Sequence, residues 1–174
     1  MENVLALFRS VTTFIFDMDG VLTDGSLLVM PNGIWLRRMN IKDGYALQLA
    51  VKKGYKVAIF SGSNSDEVKD RLSKLGITDV YMNVKDKRSA VEEYMNKHSL
   101  KAEQVLAMGD DIPDMEILKI SGIAACPADA VQEIKSISHY ISPIKGGEGC
   151  ARDVIEKVMK LRGDWNNDTT VASR

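Results

Sequence analysis

The amino-acid sequence predicts an α/β fold: a doubly wound, Rossmann-like parallel sheet with one β-hairpin flap, in a single domain over residues 1–174. Three observations predict it. Apolar, β-prone runs recur at residues 12–16, 56–60 and 104–108, and none alternates with polar residues, as expected of strands buried on both faces. Helical patterns lie between such runs, so strand and helix alternate along the chain. A composition of 45% apolar and 27% charged residues over 174 positions suits one soluble globular unit with a sizeable core, without repeats or linkers.

The elements follow in order. Residues 12–16 read as the first strand, ending in Asp17-Met18-Asp19-Gly20. In residues 26–39 two extended runs flank Pro31-Asn32-Gly33, the pattern of a hairpin with a tight turn. The hairpin is unusually apolar for a projection, which predicts packing against another subunit. A helix is expected over 43–53 with Gly54 as its stop. The strand at 56–60 ends in Ser61-Gly62-Ser63-Asn64-Ser65, which opens a helix over 66–75. A short strand at 80–82 and a helix over 85–98 come next. The strand at 104–108 ends in Gly109-Asp110-Asp111, with Pro113 early in the helix after it. Residues 122–125 and 138–141 suggest two further short strands. Lys145-Gly146-Gly147-Glu148-Gly149 reads as a flexible link to an amphipathic helix over 150–161, and residues 163–174 as a polar tail, mobile in isolation.

Bulk properties exclude several classes. With 24 acidic and 23 basic residues the net charge is −1, which argues against broad electrostatic binding of nucleic acid. No run approaches the roughly 18 apolar residues of a membrane helix, and the first ten residues show no secretion signal. Cys126 and Cys150 are too few for a disulfide framework or a zinc site. A reducing cytoplasm is the expected compartment, with no membrane partner.

The chemistry gathers at strand ends. Ligand sites of open α/β sheets lie beyond the carboxyl ends of the strands, where Asp17 and Asp19 stand. Carboxylates so close repel unless a cation or a shared proton holds them, and Mg²⁺ is the simplest hard cation to do so. An Asp-x-Asp-Gly piece also suits a turn or the start of a calcium loop. The Ser61 loop makes a phosphate cradle at a helix start, or an ordinary N-cap. Lys87 belongs to a basic cluster that also reads as a solvated face. Asp110 is the better metal-ligand candidate of its group, since Asp111 and Asp114 also serve as favourable charges at a helix N-terminus. His98 and His139 receive no catalytic role.

Asp17-x-Asp19, Ser61-Gly62, Lys87 and Gly109-Asp110-Asp111, each after its own element, together resemble the haloacid dehalogenase superfamily of phosphotransferases. That resemblance implies Asp17 as nucleophile, forming an aspartyl-phosphate, and Asp19 as acid and then base. It implies Ser61 and the Gly62 N–H on phosphoryl oxygens, with Lys87 neutralising charge. Mg²⁺ would lie between Asp17, the Asp19 carbonyl and Asp110, with Asp111 in support. Only 43 residues separate Asp17 from Ser61, and 22 separate Lys87 from Asp110, so no cap domain fits. Asp19 to Gly25, then Asn40-Ile41-Lys42-Asp43-Gly44 and Gly146-Gly147-Glu148-Gly149, resemble the capless 3-deoxy-D-manno-octulosonate (KDO) 8-phosphate phosphatases. By that likeness the enzyme is a homotetramer that releases KDO and phosphate. Asn40, Ile41, Lys42, Asp43, Gly44, Arg71 and Lys87 would line the substrate pocket. Two departures stand out: relatives usually carry arginine where Ser63 stands and a basic residue at Gln48. A nonulosonate 9-phosphate of the sialic-acid type is therefore the competing substrate, and a non-catalytic oligomerisation module the competing role.

Overall fold

The computed structural model describes residues 4–172. The elements are α1 (Val4–Leu7), β1 (Thr13–Phe16), the hairpin β2 (Leu28–Val29) and β3 (Trp35–Leu36), α2 (Ile41–Lys52), β4 (Lys56–Phe60), α3 (Asp66–Lys74) and β5 (Asp79–Tyr81). There follow α4 (Lys87–Lys97), β6 (Val105–Met108), α5 (Met115–Ile120), β7 (Ile123–Cys126), α6 (Gln132–Ile137), β8 (Tyr140–Ile141) and α7 (Cys150–Arg162). Among the described residues the main sheet has six strands in the order β5-β4-β1-β6-β7-β8, all parallel. The fold is the doubly wound α/β architecture that the alternation of elements predicts.

Strand β1 shows why. All four of its residues are buried, and their side chains divide by parity. Phe14 and Phe16 join the core under α2 and α7, with Leu47, Val154 and Val158. Ile15 points to the other layer, with Val91, Ile117 and Ile134 of α4, α5 and α6. A strand covered on both faces needs no polar positions, hence the unbroken apolar run. The register sets Phe16 level with Ile59 of β4 and Met108 of β6. The residues that follow these three strands therefore emerge side by side.

Several expectations change. Helix α2 begins two residues earlier than its pattern suggests, because Asn40 is the N-cap and accepts a hydrogen bond from Lys42 N at 2.8 Å. Helix α6 went unread because it is short and buries only Ile134. The hairpin strands are two residues each, closed by Gly33 N donating to Met30 O at 2.9 Å with Gly33 at φ +81°. Leu28, Val29 and Trp35 remain exposed.

Residues 145–149 are no flexible link. Gly146 and Gly147 are buried against the Gly20–Asp24 backbone; Gly147 N donates to Val21 O and Gly146 N to Asp129 Oδ1, both at 2.9 Å. Nor is the C-terminal segment loose over residues 163–172; the last two residues of the expected tail lie outside the described residues. Trp165 meets Tyr45 edge to face at 6.1 Å, the Arg152 guanidinium lies 5.5 Å from the Trp165 ring, and Lys52 pairs with Asp168 at 2.6 Å. Among the described residues no helix is long and apolar enough to cross a membrane.

Candidate active site

The carboxyl ends of β4, β1 and β6 open into a cleft of about 280 Å³ that contains Asp17, Asp19, Ser61, Gly62, Lys87, Asp110 and Asp111. β1 is the central strand of the three, so Asp17 lies between the other two motifs. Its N–H donates to Met108 O of β6 at 3.0 Å. The chain then makes one wide turn, Met18–Leu22, closed by Thr23 N donating to Met18 O at 3.0 Å. Gly20, at φ +86°, permits that turn and leaves room for the Asp110 carboxylate.

Asp17, Asp110 and Asp114 each present an oxygen, and these atoms lie within 4.8 Å of one another. Lys87 Nζ donates to Asp17 Oδ1 at 2.8 Å and to Asp114 Oδ1 at 2.6 Å, with all three side chains buried or nearly so. Burial first, and the Asp114 charge second, push the Asp17 carboxyl up to about 7 against the pull of Lys87. Burial, then Asp114, Asp17 and Asp111, push Asp110 up to about 7 as well. Burial opposes the charge on Lys87, but its two carboxylates outweigh that and raise it.

These residues fit a hard divalent cation. Three buried or half-buried carboxylates face one ammonium, and the Asp110 carboxylate makes no hydrogen bond among the described residues. An all-oxygen donor set with excess negative charge selects magnesium-like ions. Asp114 serves this cluster as an organiser: Oδ1 holds Lys87 and Oδ2 accepts from Asp110 N at 3.1 Å. Asp111, to which the resemblance assigns that support, turns its carboxylate to Ile112 N at 2.7 Å and is exposed. The single 3₁₀ turn at Ile112–Asp114 decides which of the two acids faces inward.

Asp19 is held by four donors. Arg37 Nε donates to Oδ1 at 2.8 Å and Nη2 to Oδ2 at 3.1 Å; Ser63 Oγ adds 2.7 Å to Oδ2 and Thr23 Oγ1 adds 3.2 Å to Oδ1. Burial alone would raise this carboxyl, but Arg37, Ser63 and Thr23 together keep it below the usual carboxylate range. Ser61 is buried and its Oγ lies 3.1 Å from Ser63 Oγ, while Gly62 is exposed beside it.

The stretch Asn40–Gly44 is not brought into this cleft. Asn40 caps α2, and Ile41 lines a neighbouring cleft together with Arg37 and Arg71. Lys42 lines a charged groove along α7. Asp43 is buried, accepts from Arg152 N at 2.7 Å, and is pushed up to about 6, chiefly by burial. Gly44 N returns to Asn40 O. Arg37, Thr23 and Asp114 are the site residues that sequence reasoning missed. Thr23 lies within the quoted Asp19 to Gly25 motif, Asp114 reads in the sequence only as a favourable charge at a helix N-terminus, and Arg37 has no local signal.

Known proteins share this sequence pattern and fold. Residues 73–152 match the family model described as haloacid dehalogenase-like hydrolase. The 3-deoxy-D-manno-octulosonate 8-phosphate phosphatase of Escherichia coli K12 is 32% identical over 161 residues, which cover 92% of this chain and 86% of that protein. The crystal structure of the phosphatase of that name from Yersinia pestis superposes with a TM-score of 0.91 at 30% identity, covering 94% of this chain and 88% of that one. That from Moraxella catarrhalis, in complex with magnesium ion, phosphate ion and KDO, gives 0.90 at 26% identity and covers 94% of each chain. Among the described residues the main sheet is flanked by helices with no separate cap domain. The chain belongs to the haloacid dehalogenase superfamily: it is a capless phosphoric monoester hydrolase, similar along nearly its whole length to the 3-deoxy-D-manno-octulosonate 8-phosphate phosphatases.

Proposed function

We propose that this hydrolase is a Mg²⁺-dependent phosphatase of a phosphorylated sugar acid, 3-deoxy-D-manno-octulosonate 8-phosphate, yielding KDO and phosphate. The observation that supports the reading most is the meeting of Asp17, Asp110 and Asp114 within 4.8 Å, with Lys87 bonded to Asp17. Asp17 attacks phosphorus, giving an aspartyl-phosphate, and the sugar oxygen departs. Asp19, protonated in the substrate complex, gives that proton to the departing oxygen, then takes one from the water that cleaves the acyl phosphate. Ser61 and the Gly62 N–H hold phosphoryl oxygens, and Lys87 neutralises their charge. Asp17, Asp110 and the Asp19 carbonyl would hold Mg²⁺, which would supply the positive charge that lets a carboxylate meet a phosphate dianion. Asp114 orients Lys87 and the Asp110 backbone. The exposed apolar hairpin supports self-association, in a homotetramer.

The test is steady-state kinetics on octulosonate, nonulosonate and simple hexose phosphates, with Asp17→Asn as the control. We expect that variant to lose at least about a thousandfold in turnover; near-wild-type activity refutes the nucleophile. In Asp19→Asn turnover should collapse while Mg²⁺ binding survives, whereas Asp110→Asn should lose both. A nonulosonate 9-phosphate is the second reading, favoured by Ser63 where relatives usually carry arginine. A higher kcat/KM on that substrate in the same panel would select it.

A further inference from the structure

Two clefts meet at Arg37. One is the acid cleft, whose residues Asp19 and Ser63 bond its guanidinium. The other, about 290 Å³, lies between the hairpin and α3, and Arg37 lines it together with Trp35, Met39, Ile41, Val68 and Arg71. The burial of Arg37 is unusual for its position. Its side chain is 3% exposed, while the adjacent Arg38 is 71% exposed. Nε and Nη2 make its hydrogen bonds; Nη1 makes none among the described residues.

The two bonds to Asp19 form the parallel fork that a guanidinium makes with a carboxylate, and a lysine cannot reproduce it. Stripping a buried guanidinium of its partner is costly, so Arg37 leaves Asp19 only for an equivalent anion. A sugar acid provides one. A phosphoryl group set against Asp17 and Ser61 would leave the hairpin cleft, which Arg37 also lines, as room for the rest of such a substrate. A neutral sugar phosphate brings no second anion, because its phosphoryl oxygens are taken up by Ser61, the Gly62 N–H and Lys87.

We propose that Arg37 reads the acid group of the substrate: on binding, its guanidinium passes from Asp19 to the substrate carboxylate. Asp19 is then left with Ser63 and Thr23 and is available to the leaving oxygen. The swap makes release of Asp19 conditional on a carboxylate, so Arg37 determines specificity. The inference rests on the sugar-acid reading of function.

The test uses the full-length Mg²⁺-loaded enzyme. It compares kcat/KM for octulosonate 8-phosphate and for glucose 6-phosphate in wild type, Arg37→Ala and Arg37→Lys. We expect the preference for the acid-bearing ester to shrink by about 30-fold or more in Arg37→Ala, through a higher KM for that ester and a rise in turnover of glucose 6-phosphate, for which Asp19 is no longer held. Arg37→Lys, which keeps the charge without the fork, should retain an intermediate preference, and carries the comparison if the alanine variant does not fold. An unchanged preference in these variants overturns the proposal, as do equal losses on both esters, which would make Arg37 a positioner of Asp19 alone. A wild-type enzyme without preference for the acid-bearing ester instead sinks the functional reading, and this inference with it.

Discussion

Gly20 and Asp110 approach so closely that no side chain fits at position 20: a β-carbon built there would lie 2.0 Å from Asp110 Oδ2. The backbone of Gly20, at φ +86°, also lies where other residues are strained. Gly20→Ala should therefore displace the Asp110 carboxylate and lower Mg²⁺ affinity and turnover together. The strained backbone should cost about 1–3 kcal/mol of stability. A Mg²⁺ titration followed by calorimetry, alongside thermal melts, checks both. Wild-type Mg²⁺ affinity in that variant would separate Asp110 from the cation site.

Among the described residues Lys87 is the one cation bonded to both Asp17 and Asp114. Lys87→Met leaves two buried carboxylates facing one another without it, a loss of about 3–5 kcal/mol when one partner of a buried pair is removed. Denaturant unfolding in EDTA should show that deficit. Saturating Mg²⁺ should narrow it, because a divalent ion among the same oxygens replaces the missing charge. A deficit equally large with and without Mg²⁺ would place the ion elsewhere.

The raised carboxyls predict the pH dependence of the metal-free fold. Asp17 and Asp110 titrate near 7 in the folded chain, and Asp43 near 6, against 3.8 when unfolded. Folded protein thus holds protons that the unfolded chain has already released. The stability from these groups is fully present below pH 3.8 and is lost as pH rises toward their folded values. In EDTA the melting temperature should fall from pH 5 to about 7. With Mg²⁺ bound, Asp17 and Asp110 stay ionised and only the Asp43 contribution remains, so the fall should end near pH 6. A melting temperature that rises through this range in EDTA contradicts the assignment.

How much of this was legible in the sequence depends on the distance over which each feature is decided. Strands β1, β4 and β6 declare themselves because burial on both faces removes polar residues, and the acids at their tips follow directly in the chain. The hairpin turn is likewise local, set by Pro31-Asn32-Gly33. Arg37 was not legible. Its partner Asp19 is 18 residues away, and only the folding back of the hairpin distinguishes buried Arg37 from exposed Arg38. Asp111 and Asp114 are equivalent by composition, and one 3₁₀ turn sends Asp114 inward. The docking of Trp165 on Tyr45 and Arg152 depends on the packing of α2 against α7, to which no local pattern points.

The same long-range logic applies to Gly146. In the chain it reads as one of three glycines in a loose connection, but a β-carbon there would lie 1.9 Å from Gly20 O and 3.2 Å from Thr23 O. Backbone atoms cannot yield as a side-chain tip can, so the loop before α7 is seated directly on the turn that carries Asp19. Gly146→Ala must push that turn, and with it Gly20 and Asp110, out of place. It should cost at least about 2 kcal/mol, in the range of overpacked interiors, and lower turnover as well. Gly33→Ala is the comparison: its φ of +81° is strained, yet among the described residues nothing lies within 4 Å of the added carbon, so about 1 kcal/mol and little change in turnover are expected. Equal stability losses in the two variants, by urea unfolding, would mean that residues 145–149 carry no packing against the active-site turn.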